Sequence, residues 1–140
     1  MNEHTVGLNV REWIFADEHS RAVWTALERG NPGEVYNIGS GQEKTNLEVV
    51  HDILRLIGKP ESLIRFVKDR PGHDRRYSID CSKIQREWNW SSEIDFSTAL
   101  ALTIDWYRAH QDWVREIKDA SYLSYYDRMY TFRDETLGLL

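Results

Sequence analysis

The chain has 140 residues, 41% of them apolar, with 23 acidic against 18 basic side chains and a formal charge of -5. That is the size of one compact domain, with apolar content enough for an ordinary core. The acidic balance argues against a general nucleic-acid or membrane-surface binder, because such proteins carry a basic excess that neutralises phosphates.

In chain order, "VREWIF" (residues 10–15) is a short run rich in β-formers. Asp17 follows and is placed to cap a helix, with Ala22, Val23, Ala26 and Leu27 on one face and Gly30 and Pro32 stopping it. "EVYNI" (34–38) reads as a second strand and runs through "GSGQEK" into the clearest helix of the chain. There Thr45 and Glu48 form a T-x-x-E capping box, Leu47, Val50, Ile53, Leu54 and Ile57 form the stripe, and Gly58-Lys59-Pro60 ends it. "SLIRFV" (62–67) and "RYSI" (76–79) read as short strands on either side of a charged loop. Asp80 or Ser82 is expected to cap a helix to Trp88, and Asp95 a helix with the stripe Phe96, Leu100, Ile104 and Tyr107. Trp113, Ile117, Tyr122, Tyr125 and Met129 recur at roughly helical intervals, and the last ten residues carry no pattern. Strands alternating with helices predict βα units and a parallel sheet, yet two or three strands are too few for a doubly wound one. The expectation is therefore the back end of a larger α/β protein.

Cys81 is the single cysteine, and no Cys/His spacing suits zinc, so a reducing cytoplasm is the expected compartment. No apolar run reaches the roughly 18 residues of a membrane span, and the first residues do not read as a signal peptide. No metal, membrane or nucleic-acid partner is expected.

The sites legible in the residues are binding sites. Gly39 and Gly41 lie where a dinucleotide fingerprint would, but its third glycine position holds Lys44, so a flexible turn is the better reading. Asn37, at the carboxyl end of a strand, either faces a ligand crevice or only finishes the turn. "DRPGHDRR" (69–76) sets Asp69 and Asp74 among Arg70, Arg75 and Arg76 around the Pro71-Gly72 corner. Arginine forks and His73 suit phosphate oxygens, and a solvated loop with internal ion pairs is an equal reading. Arg11 is a charge on an apolar strand, which is normally paired or functional. No catalytic group is visible: there is no Tyr-x-x-x-Lys pair, no G-x-S-x-G elbow and no paired histidines.

Taken together, "NVREWIFADEHSRAV", "GEVYNIGSGQEKTNLEVV" and "DRPGHDRRYSIDCSKI" closely resemble the carboxyl-terminal part of dTDP-glucose 4,6-dehydratases, extended short-chain dehydrogenase/reductase enzymes, over residues 7–130. The fold implied is the last strands of a Rossmann sheet plus a small α/β substrate-binding domain. The family converts dTDP-glucose to dTDP-4-dehydro-6-deoxyglucose with tightly held NAD. The resemblance implies that Arg11 meets the substrate diphosphate, that Asn37 lies on the nucleotide side, and that Asp69, Arg70, Pro71, Gly72 and His73 form the substrate loop, with Tyr77 beside it. It also implies that NAD and the catalytic groups belong to an amino-terminal Rossmann part preceding residue 7, so this chain is expected to bind dTDP-glucose or a related nucleotide sugar and to be inactive alone. A missing amino-terminal half or a second copy of the chain is the expected protein partner. The rival expectations are a non-catalytic binding or assembly module, and the same portion of another nucleotide-sugar dehydratase, decarboxylase or epimerase. Residues 131–140 match nothing in the family and are read as a tail.

Overall fold

A computed structural model of the chain describes residues 7–67, 69 and 72–118. Its elements are strand β1 (Val10–Glu12), helix α1 (Ala16–Arg29), strand β2 (Glu43–Thr45), helix α2 (Asn46–Ile57), a 3-10 turn (Glu61–Leu63), and helices α3 (Ser82–Trp88), α4 (Phe96–Ala109) and α5 (Gln111–Ile117). Two compact units divide within α4, between Leu102 and Thr103.

In the first unit β1 pairs antiparallel with β2, setting Val10 against Thr45, Arg11 against Lys44 and Glu12 against Glu43. On its other edge β1 is held to the charged loop: the Val10 amide donates to the Arg75 carbonyl (2.8 Å) and the Tyr77 amide to the Val10 carbonyl (3.1 Å). Among the described residues the expected parallel pairing is therefore reduced to one bridge, Val10 with Arg76. Residues 34–38 carry no ladder among the described residues, and residues 61–63 form the 3-10 turn where a strand is expected. Tyr36 and Ile38 nonetheless pack on the core, while Val35 between them is 78% exposed, so the segment keeps the two-residue alternation of a strand.

That core consists of Ala22, Cys81, Ile84, Trp88 and Trp90, with Ile14, Ala26, Tyr36 and Ile38 packed against it. Of the apolar stripe expected on α1, Ala22 and Ala26 turn inward. Val23 and Leu27 lie about 100° and 140° round the helix from Ala22 and are exposed. The helix also starts two residues earlier than Asp17 as cap would allow: Phe15 is the N-cap, without a side-chain bond, and Asp17 sits in the first turn, where the helix dipole favours a carboxylate. Glu18 is buried, bonded to Arg21 (2.9 Å) and to the Glu93 amide (2.7 Å).

The α2 capping box is present: Thr45 Oγ1 accepts from the Glu48 amide (3.1 Å) and the Glu48 carboxylate from the Thr45 amide (2.7 Å). Gly58 ends the helix at φ +66°, a left-handed position that glycine occupies without a Cβ penalty. The buried residues are Val49 and Leu54, while Val50 faces solvent. Cys81, not Asp80 or Ser82, is the N-cap of α3, without a side-chain bond, and Asp80 just before it accepts from the Ser82 amide (2.8 Å); Asp95 accepts from the Ser97 and Thr98 amides at the start of α4, as expected. Hydrogen bonds from Ser97 and Thr98 hold the Asp95 carboxyl far below its ordinary value.

In the second unit Trp106 stacks on His110 (4.3 Å between centroids) and meets Trp113 edge-on (5.1 Å). Tyr122, Tyr125, Met129 and the 131–140 tail lie outside the described residues. Among the described residues no helix is long and apolar enough to cross a membrane, and no group of His, Cys, Asp and Glu could hold a metal ion.

Candidate anion-binding site

β1 begins the site. Its strand contacts carry Asn9, Arg11 and Glu12 up to the charged loop, and each of the three side chains ties to residues 73–79 or to the glycine turn. Asn9 is buried and donates to the Asp74 carbonyl (3.1 Å). The Arg11 guanidinium donates from Nη2 to the same carbonyl (3.0 Å) and from Nη1 to the Val10 carbonyl (2.6 Å). Its carbon lies 4.7 Å from the centroid of the Tyr77 ring, close enough for a cation–π contact. Tyr77 in turn donates its hydroxyl to the Asp74 carboxylate.

His73 completes the cluster, with Nε2 2.8 Å from Arg11 Nη2 and Nδ1 2.6 Å from Asp69 Oδ1. Arginine can only donate, and an ionised carboxylate can only accept. A ring that accepts from Arg11 and donates to Asp69 carries its proton on Nδ1. Gly72, just before it, sits at φ +67°, where an L side chain costs about 1–2 kcal/mol.

The structure thus brings together four of the residues singled out in the sequence, Arg11, Asp69, His73 and Tyr77, with Gly72 shaping the backbone between Asp69 and His73. Asn37 is exposed and donates to the Asp80 carbonyl (3.1 Å), and no described contact joins it to the Arg11 cluster. Arg70 and Pro71 lie outside the described residues. Arg76 is not a spare phosphate donor: its Nε and Nη2 fork grips the Glu43 carboxylate at 2.7 and 2.5 Å. The hydrogen bond from Arg76, joined by one from Ser78, lowers the Glu43 carboxyl, and Glu43 raises Arg76. Arg75 is exposed, with no ion pair among the described residues.

Asn9, Glu12 and the Asp74 carbonyl are partners in this cluster that sequence reasoning missed. Glu12 alone carried a signal, as a second charge beside Arg11 on an apolar strand. It accepts from the Gly41 amide (2.7 Å) and the Ile79 amide (2.9 Å), tying the glycine turn to the end of the charged loop. A Cβ on Gly39 would stand 2.2 Å from Glu12 Oε1, so this glycine serves a close approach. These residues do not fit a dinucleotide: a pyrophosphate brought to the Gly41 amide would face the Glu12 carboxylate already bound there. The turn reading of Gly39 and Gly41 holds.

The family described as GDP-mannose 4,6 dehydratase matches residues 5–103. This chain belongs to that family. Among curated family relatives, the dTDP-glucose 4,6-dehydratase of Xanthomonas campestris pv. campestris (strain B100) is 46% identical over 125 residues, which cover 83% of this chain and 36% of the relative. Among solved structures, the dTDP-glucose 4,6-dehydratase of Bacillus anthracis in complex with NAD matches with a TM-score of 0.72 at 44% identity, over 76% of this chain and 34% of that one. The Streptomyces venezuelae dTDP-glucose 4,6-dehydratase, with NAD bound, gives 0.73 and 44% over 76% and 33%. The chain spans about a third of the length of the dehydratases it matches, and its α/β fold is the corresponding part of a short-chain dehydrogenase-type dehydratase.

Proposed function

We propose that residues 7–130 are the substrate-binding part of a dTDP-glucose 4,6-dehydratase, with Arg11 and the 69–77 loop holding the nucleotide diphosphate of dTDP-glucose. The observation that carries this reading is the Arg11 guanidinium, fixed by Asp74, His73 and Tyr77 at a glycine corner. Fixed cationic donors at such a corner suit phosphate oxygens better than a free surface charge does, because less side-chain entropy is lost on binding. Asn37 offers its side-chain oxygen on the nucleotide side.

In this reading NAD, when bound, takes and returns the hydride, and it is held by an amino-terminal part of the family enzyme. The cradle for NAD and the acid/base groups for dehydration belong, in this reading, to that amino-terminal part. The work of this chain's residues is to grip and orient the diphosphate; they do no chemistry on the sugar. The protein works in the cytoplasm, where nucleotide sugars are made.

Calorimetric titration of the full 140-residue chain with dTDP, UDP and GDP tests the reading. Saturable dTDP binding, abolished by Arg11→Ala, is expected, with UDP and GDP weaker. Failure of all three nucleotides to bind overturns the site, and equal binding of the three overturns the assignment to dTDP. Turnover of dTDP-glucose with added NAD by this chain alone would overturn the claim that it is inactive by itself. Activity that appears only on adding an amino-terminal family fragment would support a split enzyme.

A further inference from the structure

Arg11 has five N–H hydrogens, and the structure accounts for three. Both hydrogens on Nη2 are committed, one to His73 Nε2 and one to the Asp74 carbonyl, and one on Nη1 goes to the Val10 carbonyl. Guanidinium grips a phosphate through adjacent pairs of parallel N–H groups, and the two usual forks, Nη1 with Nη2 and Nε with Nη2, both use Nη2. A phosphate that takes either fork must displace a protein acceptor. The Asp74 carbonyl is backbone and also holds buried Asn9. His73 is a side chain with 20% of its surface open to solvent, so it is the partner that yields.

We propose that Asp69 and His73 are a positioning pair for Arg11, in which Nε2 of His73 keeps the place that a phosphate oxygen takes on binding. The inference rests on the diphosphate reading above. Asp69 holds the ring proton on Nδ1 and so leaves the Nε2 lone pair to receive Arg11, which keeps the guanidinium aimed into the site while it is empty. When the phosphate takes Nη2, a bare lone pair would face an anion. The ring then accepts a proton from solvent at Nε2 and donates it to the same phosphate, the imidazolium being balanced by Asp69. No bond other than that N–H forms or breaks. Among the described residues, the charged groups that face the ring are Asp69 from its own loop and Arg11 from β1. Beyond Arg11 stand Tyr77 and the Asp74 carboxylate, bonded to each other, while Glu12 is turned away to the Gly41 and Ile79 amides.

The test uses the full chain labelled with 15N histidine and inorganic pyrophosphate as the probe. In the free protein, ring nitrogen shifts are expected to show His73, assigned by its loss in His73→Gln, as the Nδ1–H tautomer, and Asp69→Ala is expected to return it to Nε2–H. An Nε2–H ring in the wild type, or a tautomer unchanged by Asp69→Ala, overturns the positioning pair without any ligand. Titration at pH 7.5 in buffers of different ionisation enthalpy should then show proton uptake, up to one per site, that His73→Gln abolishes while it still binds. Asp69→Ala should bind on the order of tenfold more weakly, as expected for loss of one charge-assisted hydrogen bond. Binding without proton uptake, or uptake that persists in His73→Gln, overturns the exchange alone. No binding of pyrophosphate overturns the diphosphate reading and the exchange with it, while the tautomer result still decides the positioning pair.

Discussion

Replacing Gly39 with alanine is expected to destabilise the chain through Glu12 rather than through the backbone. Gly39 does not need a left-handed φ, so the added methyl is refused on space alone. The new Cβ would stand 2.2 Å from Glu12 Oε1, 2.9 Å from its carboxyl carbon and 3.0 Å from Cys81 Sγ. The carboxylate can retreat only by leaving the Gly41 and Ile79 amides, which it holds at 2.7 and 2.9 Å. Charge-assisted bonds contribute roughly 1.5–3 kcal/mol each, and less where water replaces them; for this half-buried pair, Gly39→Ala should cost about 2–3 kcal/mol. Urea unfolding of wild type, Gly39→Ala, Glu12→Ala and the double variant measures it as a double-mutant cycle. Once Glu12 is gone only the softer approach to Cys81 remains, so the Gly39→Ala cost should fall below about 1 kcal/mol. An equal cost in both backgrounds would refute the assignment of this glycine to Glu12.

Thr45→Ala should cost about 1 kcal/mol by removing the α2 cap, and Glu48→Ala should add little on top, because the capping box is reciprocal; additive costs in denaturant melts would count against it. Glu18 contributes a pH dependence: burial raises its carboxyl, but bonds from Arg21 and the Glu93 amide outweigh that and hold it below its ordinary value of 4.5. Because the folded value is the lower one, the stabilisation is present above 4.5 and is lost as pH falls through the folded value. Acid unfolding should accordingly shift less with pH in Glu18→Gln than in the wild type. The Cys81 thiol is pushed up by burial, then by Glu12 and Asp80, so at pH 8 it should react with iodoacetamide far more slowly in the native chain than in urea; equal rates would place it outside the core.

Features carried by neighbours in sequence were legible before the structure. Thr45 and Glu48 are three residues apart, Gly58 closes the same helix, and Asp80 and Asp95 bond to amides within three residues of themselves, so the chain itself spells out each device. The charged corner was legible as a cluster for the same reason. β2 was not: Glu43-Lys44-Thr45 is three polar residues, too short to show a two-residue period, and it is a strand because β1 needs a partner for its backbone groups. Equally hidden was the fate of each arginine. Arg76 is silenced by Glu43, 33 positions away, and Arg11 is aimed by His73, 62 positions away, so only chain folding decides which cation is spent inside the protein and which is offered outward.

By itself, then, the sequence determined where the helices lie, both ends of α2 and the chemical character of the loop, because capping bonds act over three or four residues. Tertiary structure decided the antiparallel pairing of β1, the contact of His73 with Arg11 and the commitment of Arg11, because each is a hydrogen bond between groups that meet only when distant stretches of chain pack together.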